Sequence, residues 1–507
     1  MANATPPSFG ERMIEPVTNI SDFIWGGTWN GEAVIPFPPL AIILLGIGLW
    51  FMVGLRFYPI VKLWSSITGL FAGRKGQGAG EISPFAALST ALSGQVGTGN
   101  LAGVATAIAL GGPGAIFWMW ITALFGMALA FAEGSLAIRY REKTSDGVYR
   151  GGPMSYIMMG LGPKFTWLAV VFCLGTLFSA LVTGNSIQAN AMADGMNELF
   201  GMPEWLGGLL TAAIVFIVII GGIKSIGNVA EKIVPFMAAT YIVMAVIALI
   251  LNFGDLGETF ALIFNGAFNP QSAVGGFTGA AIIMAIRAGV ARGLFSNEAG
   301  QGSTPIAHAV AQTDDPELQG RMAMLGTFID TIVICTMTAL VILTVRGDFT
   351  AGGEAVAHAW QSDRVGFEMT SGAFAAAFPF EIASIPIGTL IASIALILFV
   401  FTTLLTWSYY GERAITFIYD RIKGSTRSGE KKLHMAWRVL WCLVIFLGAA
   451  QPSELVWRLG DISNAAMALP NLLALALLSG VVFKLARGDR KAGPDHTADT
   501  PEEPEEY

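Results

Sequence analysis

The chain has 507 residues, of which 54% are hydrophobic and 13% charged, against about a quarter charged in ordinary soluble domains. This excludes a soluble globule and predicts an all-α polytopic membrane protein. The formal charge of −7 says little about partners and points to no nucleic acid. Much of it sits in the terminal run Pro501-Glu502-Glu503-Pro504-Glu505-Glu506-Tyr507, which reads as a solvated tail.

Residues 1–36 have neither a basic n-region nor an early apolar core, so no cleavable signal peptide is expected and the segment is read as external. The first apolar run, 38–56, then acts as its own insertion signal, and residues 37–83 form an extra leading transmembrane helix with a cytoplasmic loop. At about 20 apolar residues per span, further helices are predicted near 84–110, 114–139, 166–198, 206–222, 233–251, 275–310, 321–345, 380–412, 435–450 and 464–486, about 11 spans in all. Glycine and proline punctuate the joints at Gly111-Gly112-Pro113-Gly114, Gly151-Gly152-Pro153, Gly201-Met202-Pro203 and Asn269-Pro270. Residues 256–268, inside an external stretch 252–274, are too short and mixed to span and read as an interfacial helix. Cys173, Cys335 and Cys442 lie inside apolar runs, which predicts buried, inert thiols rather than disulfides or a metal site.

Positive charge sets the orientation. Arg56, Lys62, Arg74 and Lys75 follow the first span, Arg139, Arg141, Lys143 and Arg150 the third, and Arg413, Arg421, Lys423, Arg427, Lys431 and Lys432 the ninth, so these loops are expected in the cytoplasm. The connections 198–205 and 251–273 contain no Lys or Arg and are expected outside. The N-terminus is then external and the C-terminus, with the acidic tail 487–507, cytoplasmic.

Two of the apolar runs are interrupted. Ser93-Gly94-Gln95-Val96-Gly97-Thr98-Gly99-Asn100 puts three glycines and several polar side chains inside residues 84–110, and Phe295-Ser296-Asn297-Glu298-Ala299-Gly300-Gln301-Gly302 does the same inside 275–310. Backbone freed at membrane depth must be satisfied by something, and paired breaks are the sequence pointer to a secondary transporter. The breaks fall five spans apart, an odd offset, so the two units are inverted: residues 84–251 and 275–486 form a five-plus-five inverted repeat behind one extra helix.

A broken helix offers free N–H groups at one end and free carbonyls at the other, and an amino acid zwitterion needs both. The N–H groups of Thr98, Gly99 and Asn100 suit a carboxylate, and carbonyls around Leu294 to Ser296 suit an ammonium group; the bland alternative is a glycine kink filled by neighbouring helices. Thr402 and Thr403, adjacent hydroxyls in an apolar run, could join carbonyls of Ser93 and Val96 around a sodium ion, or simply bond back to their own helix. Trp407, four residues after Thr403, and Phe295 could wall the pocket, although a membrane tryptophan is also an interfacial anchor. Gln188 lies with Thr183, Asn185 and Asn190 on the fourth span, where inter-helical bonding is the alternative role. Ionisable residues at depth are Glu133, Arg287, Arg292, Glu298, His308 and Asp330, each needing a partner or water.

At these residues the chain resembles the alanine or glycine:cation symporter family, sodium:amino acid carriers of bacteria and archaea. The resemblance covers residues 37–486 and is carried by Ser93-Gly94-Gln95-Val96-Gly97-Thr98-Gly99-Asn100-Leu101-Ala102-Gly103 and Gly293-Leu294-Phe295-Ser296-Asn297-Glu298-Ala299-Gly300. That family is similar in fold to the leucine-transporter group, whose first core helix breaks at Val-Gly-x-Gly-Asn, here Val96-Gly97-Thr98-Gly99-Asn100, and whose eighth carries adjacent hydroxyls for sodium, here Thr402-Thr403. The extra leading helix departs from that fold group and matches the family. The resemblance implies substrate roles for Thr98, Gly99, Asn100, Gln188, Phe295 and Trp407.

The expectation is therefore sodium-coupled symport of alanine or glycine by alternating access, in a monomer of the cytoplasmic (inner) membrane. No catalytic residue and no cofactor beyond the coupling sodium is expected. The substrate site comprises Gln95, Thr98, Gly99, Asn100, Gln188, Phe295, Ser296 and Trp407, and the sodium site Ser93, Val96, Thr402 and Thr403. A proton-coupled carrier using Glu298, Asp330 or His308 is the alternative, and a gated pore ranks behind both. No nucleophile, metal or nucleotide motif with usable spacing points to an enzyme.

Overall fold

Lipid offers no hydrogen bonds, so a buried apolar run satisfies its own backbone by becoming helical. The computed structural model describes residues 9–35, 37–143, 148–268, 278–382, 385–424, 427–451 and 453–493. Among them six helices are long and apolar enough to cross a membrane, Gly114–Arg139, Pro163–Phe200, Gly222–Leu251, Pro316–Thr344, Ile387–Ile422 and Ser453–Leu485. Three shorter apolar helices are Pro39–Gly54, Gly99–Gly111 and Glu204–Ile219. The described strands form only two-stranded antiparallel ribbons.

Both interrupted runs are broken. In the first, Ser83 caps the helix Pro84–Gln95 by accepting from Ala86 N. The chain then passes through Val96 in an extended conformation and resumes as a π-helical turn, Gly99–Gly103, and the helix Val104–Gly111. In the second, Thr278–Asn297 stops at Glu298, a non-glycine residue at φ 55°, and Gly300 and Gly302 also lie at positive φ before the short helix Thr304–His308. Glutamate pays a conformational penalty in that region that the surrounding packing must hold.

Several helices outrun their apolar windows, because a helix continues wherever one face still has a core to meet. Gly222–Leu251 starts eleven residues before the expected 233, with Ile226, Gly227, Ala230 and Val234 buried on one stripe while Lys224 reaches Glu81 at 3.1 Å. Ser453–Leu485 likewise begins eleven residues before 464 and includes Glu454, Arg458 and Asp461. The span expected from residue 380 starts at Ile387, directly after Pro386. Elements not expected are the N-terminal helix Phe9–Gly26, the helices Pro153–Leu161 and Gly366–Ala377, and the ribbon of Arg346–Ala351 with Glu354–His358. Residues 256–268 are helical, with Thr259, Ile263 and Ala267 buried against Gly114–Arg139.

The core is built by helix crossings. Gly114–Arg139 packs along Pro316–Thr327 and Thr278–Asn297, and Pro84–Gln95 packs against Pro316–Thr327, Gly222–Leu251 and Ile387–Lys423. Small residues permit these approaches: a Cβ on Gly134 would lie 2.9 Å from Gln319 O, and one on Gly320 2.8 Å from Phe131 O. At one end of the bundle the basic segments converge. Arg141 donates to Ala311 O, Thr313 O and Asp314, Arg139 to Ala492 O, Arg150 to Asp420, Arg490 to Asp315, and Arg321 to Ser65 and Ser66.

The tightest crossing is at Gly388, where a Cβ would stand 1.8 Å from Phe374 O, whereas one on Gly480 would meet nothing within 4 Å. Overpacking of this kind costs about 1–3 kcal/mol. Gly388→Ala is expected to lower the thermal midpoint of detergent-solubilised protein, and Gly480→Ala to leave it unchanged or raise it. Equal midpoints for the two variants would contradict the close approach.

Candidate functional site

The two breaks touch. A Cβ on Gly99 would lie 2.9 Å from Phe295 Cδ1 and 3.2 Å from Ser296 Cα, so only glycine lets these backbones meet. Gln95 Nε2 donates across the gap to Asn297 O at 2.5 Å. Between the breaks stands Asp330, fully buried in the π-helical stretch Phe328–Cys335. Its Oδ1 accepts from Asn100 Nδ2 at 2.6 Å, and its Oδ2 from Ser296 Oγ at 2.8 Å and Thr331 Oγ1 at 2.7 Å. One carboxylate thus ties the first break to the second, through donors that are all uncharged.

The freed groups of the first break are taken up locally. Gly97 N donates to Asn100 Oδ1 at 2.8 Å, while Thr98 N and Thr98 Oγ1 both donate to Gln188 Oε1, at 3.1 and 2.7 Å. Gln188 is held by its own Nε2, which donates to Thr183 O at 3.1 Å beside the π-helical turn Val182–Ser186. In the second break, Glu298 N donates to Leu294 O and Ala299 N to Asn297 Oδ1, each at 3.0 Å.

Thr403 and Thr402 part company. Thr403 Oγ1 lies 3.1 Å from Ser93 O, 3.2 Å from Val96 O and 3.0 Å from Phe399 O. A hydroxyl has one proton, so this is a nest of oxygens with more acceptor capacity than donors. Thr402 faces elsewhere: its hydroxyl bonds back to Phe399 O at 3.0 Å and approaches Met237 Sδ at 3.7 Å. Adjacent helical residues point about 100° apart, so Thr402 leaves the expected oxygen set. Thr406, close to one turn beyond Thr403, meets the same helix through other atoms, with Oγ1 2.5 Å from Ser93 Oγ and 3.2 Å from Thr90 O.

The two aromatic residues both stand at the second break. Trp407 is 1% exposed, and its ring lies over Gly184, where a Cβ would come within 2.4 Å of Trp407 Cγ. Its Nε1 donates to Glu298 Oε1 at 2.9 Å, and Ser303 Oγ donates to Glu298 Oε2 at 2.5 Å. Trp407 therefore meets the second break, not the first, and is no interfacial anchor. Phe295 rests on Gly99 with one side and on Trp457 with the other, ring centroids 4.9 Å apart. Beyond it, Arg292 lies over the Trp457 ring at 4.9 Å and pairs with both oxygens of Asp461 at 2.8 Å. A cavity of about 670 Å³, lined by Asp22, Arg287, Arg292, Trp457, Arg458 and Asp461 among others, opens on this side. One aromatic layer, Phe295 on Trp457, thus separates the cavity from the breaks.

The remaining polar residues have partners within the protein. Asn185 donates to Trp441 O, and Asn190 to Ala449 O and Gln451 O, so of that group Gln188 alone reaches the break. Glu133 accepts from Asn471 Nδ2 at 2.7 Å, and buried His308 is held by Gln319 at 2.5 Å. Cys173 and Cys335 are buried and all three cysteines are free.

Comparison with known proteins places this geometry. The model of the sodium:alanine symporter family matches residues 25–498. The chain is 41% identical to the sodium/alanine symporter AgcS of Methanococcus maripaludis, over 92% of this chain and 95% of that protein. It is 37% identical to a Bacillus subtilis protein named "Probable sodium/glutamine symporter GlnT", over 90% and 89%. In fold it is similar to MhsT, solved with L-phenylalanine, with a TM-score of 0.56 at 15% identity, covering 84% of this chain and 94% of that one. The architecture is that of the leucine-transporter-like carriers.

The Asp330 knot yields a direct test. Asp330→Leu strands the donors of Asn100, Ser296 and Thr331 in a dry interior, at about 1–3 kcal/mol for each orphaned group. It is expected to lower the thermal midpoint sharply, and Asp330→Asn, which keeps an acceptor oxygen, to lower it much less. Equal losses in the two variants would show that volume, not the hydrogen bonds, holds the breaks together.

Proposed function

The chain belongs to the sodium:alanine symporter family, and from that premise we propose that it carries a small neutral amino acid, alanine or glycine, into the cell with sodium by alternating access. The family is one of transporters, not enzymes. The observation that carries the reading is the nest of Thr403 Oγ1, Ser93 O and Val96 O beside the N–H groups of Thr98 to Asn100. With its proton turned to Phe399 O, the Thr403 hydroxyl presents its lone pairs to a cation alongside two carbonyls from the first break. A sodium ion there would pin the helix Ile387–Lys423 to Pro84–Gln95 and fix the break that presents the N–H groups.

The substrate carboxylate would displace Gln188 Oε1 from Thr98, exchanging an amide oxygen for a charged and stronger acceptor. The ammonium group would use the carbonyls of Phe295 and Ser296, since Leu294 O already accepts from Glu298 N. Gln95, Asn100 and Ser296 hold the two breaks in register around it. The contact of Gly99 with Phe295 and Ser296, and of Trp407 with Gly184, favours a small side chain over a glutamine-sized one. A single methyl group is worth only about 1–3 kcal/mol of discrimination.

The inverted repeat is supported by reciprocal packing: the first helix of each proposed unit lies on the second helix of the other, Pro84–Gln95 on Pro316–Thr327 and Thr278–Asn297 on Gly114–Arg139. The convergence of Arg139, Arg141, Arg150, Arg321 and Arg490 at one end supports a cytoplasmic face there, with the 670 Å³ cavity on the external side. A proton-coupled carrier is the second reading, favoured by Glu298 and Asp330, whose hydrogen-bond donors are all neutral.

Radiolabelled uptake into proteoliposomes under separate sodium and proton gradients tests both readings, and alanine uptake driven by sodium alone is expected. In the same assay Thr403→Val is expected to raise the half-saturating sodium concentration at least about tenfold, because a polar contact to a charge contributes about 1.5–3 kcal/mol. Thr402→Val, whose hydroxyl faces Met237, is expected to leave it nearly unchanged. An unaltered sodium requirement in a transporting Thr403→Val protein would remove that hydroxyl from the cation site.

A further inference from the structure

The N-terminal helix Phe9–Gly26 plays no part in the transport site described above, yet its last turn reaches into the wall of the large cavity. It packs on Ser453–Leu485, on Pro39–Gly54 and on Thr278–Asn297. Asp22 Oδ1 accepts from Arg458 Nη1 at 3.1 Å and also from Arg287 Nη2. Trp25, 2% exposed, donates from Nε1 to Asp461 O at 3.1 Å. Gly26 is small because Arg287 lies across it: a Cβ there would sit 2.6 Å from Arg287 Nη1.

These contacts fall on two helices that already meet deeper in the protein. Thr278–Asn297 carries Arg287 and Arg292, and Ser453–Leu485 carries Arg458 and Asp461. The deeper pair, Arg292 with Asp461, is a direct ion pair. The shallower pair, Arg287 with Arg458, has like charges, and a single carboxylate oxygen of Asp22 bridges it. Without that carboxylate the two guanidinium groups repel across a partly screened cavity, and the helices lose their upper tie.

We propose that the N-terminal helix is a latch on the outer cavity, in which Asp22 and Trp25 hold Thr278–Asn297 against Ser453–Leu485 and set how readily the route to the breaks opens. Asp22 is a positioning residue: it touches neither proposed substrate nor proposed cation, and it acts through Arg287, Arg458 and Asp461. As part of a transport cycle, the latch rests on the alternating-access reading given above. As a statement about opening, it does not need substrate.

The test is the rate at which a membrane-impermeant methanethiosulfonate reagent modifies Ala291→Cys, a buried position lining the cavity. Cys442→Ser serves as background, because Cys442 is the described cysteine that is not fully buried. Asp22→Asn is expected to raise the rate about tenfold, in the range of measured coupling between sites, and Asp22→Glu to hold it near the parent value. An unchanged rate in well-folded, monodisperse Asp22→Asn protein overturns the latch. Where that variant yields too little protein, Trp25→Phe, which removes the bond to Asp461 O together with the second ring of a buried indole, is read in the same way and must also raise the rate. Labelling in right-side-out and in inside-out vesicles separates a wrong orientation from a wrong latch. Addition of sodium and alanine is expected to slow labelling of the parent. A faster Asp22→Asn rate with no effect of sodium or alanine would keep the latch and sink the transport reading.

Discussion

Every backbone N–H and C=O inside a bilayer must find a partner within the protein, and the architecture here depends on the two places where helices decline to supply one. Between Gln95 and Gly99, and again between Asn297 and Thr304, the helical ladder stops. Side chains take over, two from other helices and two from the broken runs themselves: Gln188 for Thr98 and Thr403 for Ser93 or Val96, Asn100 for Gly97 and Asn297 for Ala299. Each substitute is a neutral polar group that can let go at modest cost, since protein hydrogen bonds exchange for others at about 0.5–1.5 kcal/mol net. A site meant to accept a charged or zwitterionic cargo needs partners of this exchangeable kind.

Charge is distributed by the same logic. Among the described residues, the carboxylates closest to the breaks, Asp330, Glu298 and Glu133, take their hydrogen bonds from amides, hydroxyls and an indole. A guanidinium in their place would lock the breaks with a buried ion pair that is expensive to open. On the cavity side, ion pairs stand farther out, at Arg292 with Asp461 and at Asp22 with Arg287 and Arg458, in the wall of a cavity where water can share the cost of separation. Soft contacts surround the breaks, and stronger ones brace the helices outside them.

The sequence made legible what depends on local composition. Glycine and polar residues inside an apolar run mark a break, and both helices break within the stretches Ser93 to Asn100 and Phe295 to Gly302 that carry them. Gln188 and Thr403 were recognisable as polar groups that lipid-facing helices would not carry. What was lost is angular. Thr402 and Thr403 look alike in sequence, but only one faces Ser93, and Trp407 points to Glu298 because Gly184 opens a slot for its ring. Asp330 was visible as a costly buried acid, but its junction with Asn100, 230 residues away, and Ser296, 34 residues away, is one that no local pattern encodes. The N-terminal helix escaped because a window tuned to continuous apolarity passes over an amphipathic segment, and Gly366–Ala377 because small residues give little periodic contrast.

Coupling of two cargoes requires that one site report on the other, and if the proposed sites hold, the element they share is three residues long. Val96 lends its carbonyl to the Thr403 nest, Gly97 is pressed so close that a Cβ would lie 2.6 Å from Thr403 Oγ1 and 3.0 Å from Gln188 Oε1, and Thr98 gives its N–H and hydroxyl to Gln188. In the proposed reading, a cation drawing Val96 O inward rotates the peptide that follows and re-aims the Thr98 N–H at the carboxylate position. Planar peptides leave few soft dihedrals in so short a segment, so the cation and the carboxylate cannot adjust independently. A glycine between them is required by space, and the absence of a side chain there is what brings the Thr403 oxygen nest and the Thr98 N–H within one peptide of each other.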